Sequence, residues 1–352
     1  MKIFHGHRRY MKPIHRQVLK PGGPSFRPSG SDFKEGISQG EERGMNRTGQ
    51  FLSKLIFGIL LTTSVTSLGD SLVEPCESWS ANEAFQSLPA EHFPEVSGMR
   101  SSKKFADRLY LVNDSGDGAN FYSFDQISGN FEKVQIKGFK GWDMEAMGYG
   151  PCGSKNCIYV ADIGDNQARR KIIRIAGIVE KESYGSQVTP LFHKILKYPD
   201  GGKDAEAIIV APDGYLYIFS KEFGLLSSDP TRVYRISLKR LQSSSQDVLE
   251  KVGTFKWSSF LSPLTVTDAA VSPNGKRLFL LGYFFSLELN LKDFLDSLSP
   301  DKITDLENAV KVSTGKGSQT EAVTYSSDGN SVIWTYESSR SDPNLIRKTC
   351  FH

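Results

Sequence analysis

Acidic side chains stand close together at a point where the sequence predicts the end of a strand. The stretch Val160-Ala-Asp-Ile-Gly-Asp-Asn-Gln-Ala-Arg-Arg170 leaves an apolar run, places two acids and an amide within five residues, and follows them with two arginines. Oxygen side chains of this kind are the ligands that calcium and magnesium prefer, whereas zinc prefers nitrogen and sulfur. The question is whether these residues bind a hard cation or only face water at a turn.

Five short words with similar polar residues recur along the chain. Their third residues are separated by 48, 61, 61 and 54 positions, and repeats of this length are typical of β-propeller blades. The five words are Glu95-Val-Ser-Gly-Met99, Asp143-Met-Glu-Ala-Met147, Asp204-Ala-Glu-Ala-Ile208, Thr265-Val-Thr-Asp-Ala269 and Gln319-Thr-Glu-Ala-Val323.

Each word begins a unit that reads as four strands. A second run rich in aromatic and β-branched residues follows every word, in four units after a Gly-containing hairpin turn such as Ala211-Pro-Asp-Gly214, and third and mostly fourth runs come later. The pattern predicts an all-β fold, a β-propeller of five four-stranded blades over residues 91–352. The fifth unit lacks a fourth strand, so a segment near Ala84 to Leu88, within a lead-in at 70–90, is expected to close the ring. An open sandwich is the alternative fold, and a sixth blade would need more strand in residues 70–90.

A propeller would gather the acids at one end of its channel. The start of each first strand and the end of each second strand share one edge of a blade, and all blades have the same orientation. We call this end the channel mouth. The predicted metal ligands there are Asp143, Glu145, Asp162, Asp165, Asn166, Asp204, Glu206 and Glu321. The predicted ligand-binding residues are Asn113, Asp114, Asp117, Arg169, Lys221, Glu222 and Glu337.

A structural role competes with binding for these acids. In propellers, acids near inner strands also accept hydrogen bonds from the next blade, and this bracing is an equal alternative for the first-strand acids. Crowded carboxylates raise one another's pKa unless cations compensate, and Arg169, Arg170 and Lys221 could supply part of that charge. Lys221 and Glu222 could act as an acid or base, or form a surface pair.

One loop resembles a calcium-binding loop in its first half. Asn113-Asp-Ser-Gly-Asp-Gly118 has oxygen side chains at its first, third and fifth positions and then a glycine. Its twelfth position is Phe124 rather than a bidentate glutamate. A plain turn, with Asn, Asp and Gly chosen for positive φ, explains the same residues.

The N-terminal part differs in composition from the rest. Residues 1–44 carry nine Lys and Arg against four acids, while the remaining chain has a net charge of about −2, so the overall +3 does not indicate a nucleic-acid partner. Residues 45–69 combine a short cationic lead, an apolar run from Leu55 to Val65 and small residues, as a signal peptide does. An uncleaved anchor helix is the alternative. Residues 1–44 are then either a disordered tail or the product of a start codon assigned too far upstream.

Four cysteines agree with a secreted or periplasmic location. Cys152 and Cys157 bracket a short loop that a disulfide can close, and Cys76 and Cys350 lie at the two ends of the propeller segment. Three pairings are possible, and we expect the local pair plus the end-to-end pair because a ring brings its ends together. No histidine lies at ligand spacing from these cysteines, which disfavours zinc.

The chain resembles secreted bacterial β-propeller proteins of poorly defined function over about residues 90–340. The words that carry the resemblance are Val112-Asn-Asp-Ser-Gly-Asp117, Trp142-Asp-Met-Glu-Ala146, Tyr159-Val-Ala-Asp-Ile-Gly-Asp-Asn166 and Val266-Thr-Asp-Ala-Ala-Val-Ser-Pro273. More distantly, the acidic face is similar to that of phytase-like propellers, a family that binds calcium there and hydrolyses phosphomonoesters. The dense aspartate and basic phosphate-binding pattern of those phytases is not found here.

Three functions follow as expectations. The first is an exported, monomeric propeller, without a membrane span in its mature form, that binds Ca²⁺ or Mg²⁺ and a small-molecule or phosphorylated ligand at the mouth. The second is a metal-dependent phosphoesterase that uses the same acids. The third is an envelope protein-interaction platform. Acyl transfer lacks support, because no nucleophilic serine motif or well-placed histidine occurs.

Overall fold

A computed structural model gives the structure of the propeller segment. It describes residues 75–221, 230–243, 246–257, 265–283, 285–314, 319–338 and 341–352. The sequence predictions for residues 1–44, for the signal peptide at 45–69 and for Glu222 lie outside the described residues.

The strands form five sheets of four or five strands each. Two short strands come first in the chain: β1 (Ser78–Trp79) and β2 (Glu83–Ser87). Blade 1 contains β3 (Val96–Ser101), β4 (Arg108–Asn113), β5 (Asn120–Asp125) and β6 (Phe131–Ile136). The segment of blade 2 contains β7 (Met144–Cys152), β8 (Lys155–Asp162), β9 (Ile173–Val179), the two-residue β10 (Gln187–Val188) and β11 (Phe192–Lys197).

The later blades repeat this order and add two short helices. The segment of blade 3 contains β12 (Ala205–Val210), β13 (Tyr215–Ser220), β14 (Thr231–Ser237), α1 (Leu238–Ser243), β15 (Gln246–Val248) and β16 (Glu250–Lys256). The segment of blade 4 contains β17 (Val266–Val271), β18 (Arg277–Gly282), β19 (Ser286–Asn290), α2 (Leu291–Ser297), β20 (Ile303–Asp305) and β21 (Val310–Val312). Blade 5 contains β22 (Thr320–Tyr325), β23 (Ser331–Tyr336) and β24 (Asn344–Phe351), and its fourth strand comes from the N-terminal side.

The turn words of the sequence form the hairpins between first and second strands. The glycines of these turns have positive φ, a backbone conformation that side chains disfavour: Gly153 (φ 67), Gly214 (φ 85), Gly275 (φ 74) and Gly329 (φ 77). The strands that they join pair antiparallel in all four blades. The five-blade propeller predicted from the repeats is therefore confirmed.

Closure of the ring also follows the prediction. β2 pairs antiparallel with β24, one residue away from the segment expected from the sequence, and completes the sheet of blade 5. β1 pairs with the last residues of the same strand. Both expected disulfides are at bonding distance: Cys76 and Cys350 tie the two ends of the propeller together, and Cys152 and Cys157 close the hairpin of blade 2.

Apolar side chains pack between neighbouring blades, including the pair at the closure. One buried cluster joins Met99 and Leu109 of blade 1 to Ile333 and Leu345 of blade 5. Burial of each such side chain contributes about 1.5–3 kcal/mol. The inner strands contact one another in the order β3, β7, β12, β17, β22 and again β3, so the five first strands surround one axis.

Short parallel strands link three blades to the preceding blade, a feature that the sequence did not indicate. β10 pairs with β6, β15 with β11 and β20 with β16, each parallel and only two or three residues long. Segments this short carry no readable alternation of polar and apolar residues. Among the described residues, neither helix has the length or the apolar character needed to cross a bilayer.

Candidate metal centre at the channel mouth

The third residue of each repeated word is a bulge in its inner strand. The pairing register shifts at this residue in all five blades, as in a β-bulge, which re-aims one side chain. All five bulge residues are buried: Ser97, Glu145, Glu206, Thr267 and Glu321. The repeated word therefore encodes one local geometry, and in three blades that geometry carries a glutamate.

A second ring comes from the residue that follows each second strand. The backbone N–H groups of Asp114, Lys221 and Glu337 donate to the carbonyl oxygens of residues that precede first strands, at 2.8–2.9 Å. This pairing fixes the ends of first and second strands side by side. The predicted edge therefore exists, and it places these three side chains beside the bulge residues.

The two rings enclose a cavity of about 220 Å³ at the channel mouth. Its polar lining consists of Glu95, Ser97, Asp114, Glu145, Asn166, Glu206, Lys221, Tyr283, Gln319, Glu321 and Glu337. Six of these side chains are carboxylates, and one, Lys221, is a cation. The cavity is the acidic mouth that the sequence predicted.

Three carboxylates form the tightest oxygen cluster. Oxygen atoms of Asp114, Asp143 and Glu145 lie within 4.8 Å of one another, and we call these residues the mouth triad. Gly164 makes the cluster possible, because a Cβ on Gly164 would lie 2.5 Å from Oε1 of Glu145 and 2.7 Å from the carboxyl group of Asp143. The glycine in Asp162-Ile-Gly-Asp therefore provides the space in which two of the three carboxylates sit.

Electrostatics show that the acids at the mouth are under-compensated. Burial, followed by the charge of Asp114, raises the pKa of Asp143 to about 6. Burial, followed by the charge of Glu206, raises the pKa of Glu145 well above its usual range. Burial likewise raises the pKa of Glu321 to about 8, although Lys221 opposes this. At neutral pH a carboxyl group such as Glu321 keeps its proton, whereas Asp143 is mainly ionised and attracts a cation.

Lys221 compensates only one side of the cavity. Its Nζ donates to Oε1 of Glu206 at 2.7 Å. Burial would lower the pKa of Lys221, but Glu206 and Tyr283 outweigh burial and raise it, so the ammonium stays charged. Burial still raises the pKa of Glu206 to about 7 despite this partner. Asp114 and Glu145 of the mouth triad line the cavity on the side of blades 1 and 2, and Asp143 lies next to them without lining it.

Asp162, a predicted metal ligand, instead clamps the loops beside the mouth. Its Oδ1 accepts from the backbone N–H of Trp142 and of Asp143 at 3.1 and 3.0 Å. Its Oδ2 pairs with Arg170 at 2.6 Å and with Arg174 at 3.2 Å. The residue is fully buried and does not line the cavity, so the structure gives it the bracing role.

The other predicted residues of blades 2 and 3 are divided between bracing and lining. The carboxylate of Asp165 accepts from the backbone N–H of Arg170 at 2.5 Å. The backbone N–H of Asp165 donates to the carboxylate of Asp204 at 2.8 Å. Asn166 lines the cavity, whereas Arg169 is exposed and does not line it. The compensation expected from Arg169 is therefore not seen, and Arg170 serves Asp162 instead.

The loop with partial calcium-binding spacing is mainly a turn. Asp117 pairs with Lys133 at 2.5 Å and accepts from the hydroxyl of Tyr122 at 3.0 Å. The amide of Asn113 donates to the carbonyl of His92 at 2.9 Å. Only Asp114 of this loop reaches the mouth triad. The loop therefore fits the alternative of a turn, and Asp114 is the side chain of the loop that lines the cavity.

Glu95, Ser97, Tyr283 and Gln319 line the cavity but were not among the predicted site residues, and for Ser97 and Tyr283 the repeat itself carries a signal. Tyr283 follows the second strand of blade 4, the position that Asp114, Lys221 and Glu337 hold in other blades. Ser97 is the bulge residue of blade 1 and donates to Oε2 of Glu145 at 2.5 Å. Both could have been found by reading the repeat position and disregarding charge.

A buried ion pair lies below the mouth inside the channel. The guanidinium of Arg100 pairs with both oxygens of Asp268 at 3.0 Å and donates to the carbonyls of Ile208 and Val323 at 2.9 Å. Asp268 also accepts from the N–H of Val323 at 2.9 Å and of Ala269 at 2.8 Å. We call Arg100 and Asp268 the channel plug. It joins blades 1, 3, 4 and 5 across the axis.

Comparisons with known proteins add no function. No protein-family model and no curated protein matches the chain. Solved structures that it is similar to include hydrazine synthase from Kuenenia stuttgartiensis, with 15% identity, 74% of this chain and 64% of that chain covered and a TM-score of 0.38. The chain thus spans less than two thirds of that protein.

Two further similar structures are enzymes with nearly full-length coverage. The soluble aldose sugar dehydrogenase from Escherichia coli has 10% identity, with 78% of this chain and 100% of that chain covered and a TM-score of 0.44. A luciferin-regenerating enzyme has 11% identity, with 75% and 94% covered and a TM-score of 0.40. Identities and TM-scores this low carry no argument about ligand or reaction.

Proposed function

We propose that this chain is an exported β-propeller that binds a divalent cation at the mouth triad and, through that cation, a ligand. The observation that carries the proposal is the approach of Asp114, Asp143 and Glu145, whose oxygens lie within 4.8 Å of one another. Three converging carboxylates with raised pKa values at Asp143 and Glu145 favour a cation over a structural role. Neither of these two acids has an arginine partner of the kind that Asp162 has.

Calcium is the cation that the ligand set favours, with magnesium as the alternative. All three side chains offer oxygen, and the neighbouring Glu206 and Asn166 add further oxygen atoms. Calcium accepts six to eight oxygens in irregular geometry, whereas magnesium needs a near-octahedral shell. Ligand positions that come from three separate blades suit the less demanding ion.

Export is the second part of the proposal. Two disulfides form in oxidising compartments and are rare in the cytosol. The cationic lead and apolar run of residues 45–69 support the same conclusion from the sequence. The phosphoesterase and the interaction platform stay predictions, as does the monomeric state.

Calorimetric titration of chelator-stripped protein with calcium, magnesium and manganese tests the proposal. We expect one binding event that Asp114→Asn and Glu145→Gln each weaken by at least about tenfold, because each removes a charged ligand. Asp328→Asn is the matched control, since Asp328 is an exposed aspartate in the hairpin at the other end of β22. No heat with any of the three ions, together with no shift in melting temperature, would reject the proposal.

A further inference from the structure

A tryptophan beside the mouth triad is left exposed. Trp142 directly precedes Asp143 and has 58% of its surface exposed, whereas Trp334 is fully buried in the core between blades 4 and 5. Large aromatic side chains supply much of the binding energy where proteins meet ligands. The position of Trp142 on the acidic end of the channel makes a core-packing role a poor explanation.

The indole is held by a built support. Arg174 lies over its ring with Cζ 4.4 Å from the centroid, and Arg170 lies at 5.7 Å. Asp162 anchors both guanidinium groups and also accepts from the backbone N–H of Trp142. The ring is thus ordered before any ligand arrives, which lowers the entropic cost of binding.

We propose that Trp142 is a stacking platform for a sugar ring of a neutral glycan whose hydroxyl groups coordinate the cation at the mouth triad. This inference rests on the proposed function and names the ligand class of that site. Arg170 lies 5.7 Å from the indole centroid and its charge also acts on the carboxyl group of Asp143, so the ring and this carboxylate flank the same guanidinium and one sugar unit can reach both. Hydroxyl oxygens are good calcium ligands and carry no charge.

Charge argues for a neutral ligand at this position. The cavity is lined by six carboxylates, and its cation, Lys221, is paired with Glu206. The two arginines behind the indole are paired with Asp162. An anionic ligand would therefore meet repulsion without a matching cationic partner among these residues. An organic cation is also disfavoured at the ring, because two guanidinium groups already draw on its electron density.

The test combines glycan binding with separate calcium titrations. Wild-type protein is applied to immobilised neutral oligosaccharides and to their phosphorylated counterparts, with calcium and with chelator. The strongest neutral oligosaccharide is then titrated into the wild type, Trp142→Ala and Trp142→Phe. Ile127→Ala is the control, since Ile127 is 71% exposed and lies in the β5–β6 turn, at the opposite end of the blade.

The expected result is calcium-dependent binding of a neutral oligosaccharide that Trp142→Ala weakens by about tenfold or more. Trp142→Phe should weaken it less because a ring remains, and calcium affinity should not change in either variant. The inference is overturned if neutral glycans do not bind, if phosphorylated ones bind in preference, if binding survives chelator, or if Trp142→Ala binds as the wild type does. If the same samples bind calcium, the proposed function stands even where the glycan inference fails. If they do not bind calcium, both proposals are overturned.

Discussion

The acidic mouth and the channel plug lie on the same axis and both contain buried acids. The two sites differ in how many hydrogen-bond and ion-pair partners those acids have. In the plug, Asp268 accepts from the two terminal nitrogens of the Arg100 guanidinium and from two backbone N–H groups. At the mouth, Glu145 accepts from Ser97 and lies beside two further carboxylates. A buried charge is tolerated when its partners are all present, and it is costly when they are not.

This difference separates a structural acid from a candidate ligand. Asp162 resembles Asp268 of the plug, because two arginines and two backbone N–H groups donate to its two oxygens. Burial raises the pKa in both sites, to about 6 for Asp143 and to about 6 for Asp268. The neighbours differ: other acids raise the pKa of Asp143 and Glu145 further, whereas Arg100 and two backbone N–H groups lower that of Asp268. Counting partners therefore distinguishes two kinds of buried acid that look alike along the chain.

The largest expected effect is loss of stability when the plug is broken. Arg100→Met leaves the charge of Asp268 buried without its partner and frees several carbonyl oxygens, so we expect a loss of about 3–5 kcal/mol in the free energy of unfolding. Denaturant unfolding measures it. The double variant Arg100→Met/Asp268→Leu should recover most of the loss, since it removes both charges.

Lys103→Met provides the matched control for the plug, because Lys103 is exposed just beyond the same strand. Lys103→Met should change the free energy of unfolding only slightly. A loss below about 1 kcal/mol for Arg100→Met, the size of an exposed ion pair, would show that the plug is no different from a surface contact.

The next effect is pH-dependent and has the opposite sign from ordinary acid denaturation. The pKa of Glu321 in the folded protein, about 8, exceeds the 4.5 that applies to a glutamate in an unfolded chain. Its contribution to stability is therefore complete below about pH 4 and is lost as the pH rises towards about 8. Without metal, Glu321→Gln should be more stable than the wild type at about pH 8 and similar to it at about pH 5.

Melting temperatures of both proteins across this pH range, in chelator, check the prediction. Calcium should raise the melting temperature of the wild type most at the high-pH end, because protons compete with the ion for the same oxygens. Equal pH profiles for the two proteins would mean that a partner compensates Glu321, as Arg100 compensates Asp268 in the plug.

A smaller effect is expected from Gly164→Ala. The added methyl would lie within 2.7 Å of the carboxyl groups of Asp143 and Glu145 and would push them apart. We expect calcium affinity to fall by about 10- to 100-fold with little change in the urea midpoint, because the φ of Gly164 lies outside the positive range. Ser154→Ala is the control, because Ser154 lies in the hairpin at the far end of blade 2. Unchanged affinity would show that the mouth triad does not hold the ion.

The smallest effect is expected from Asp117→Asn. Asp117 comes from the same acidic loop as Asp114 but pairs with Lys133. Calcium titration should give nearly wild-type affinity for this variant and a clear loss for Asp114→Asn. Equal losses would mean that the loop acts as one calcium-binding unit, which contradicts the division between paired and unpaired acids.

Most of the fold could be predicted from the repeated words. Their spacing located the five inner strands and the acidic edge, because a bulge and a Gly-containing turn need particular residues at fixed positions. The closure by β2 followed from a missing fourth strand rather than from its own residues. The parallel strands and the two helices were not predicted, because their two- to seven-residue segments have no distinct period.

The sequence predicted where the acids gather, but it did not indicate which of them have a cationic partner. Glu145, Glu206 and Glu321 line the cavity as expected, because strand periodicity fixes which face they occupy. Asp162 and Asp117 were grouped with them, but their partners come from arginines and a lysine whose side-chain directions the sequence does not specify. Partner choice depends on tertiary structure, whereas the edge of a strand depends on local pattern.

Crystals grown with manganese in place of calcium provide the most direct test of the central claim. Anomalous diffraction locates the ion without prior assumptions about its ligands. We expect one strong anomalous peak between the carboxylates of Asp114, Asp143 and Glu145, and none at Asp162 or at the channel plug. A peak elsewhere on the propeller, or none in the mouth at saturating manganese, would contradict it.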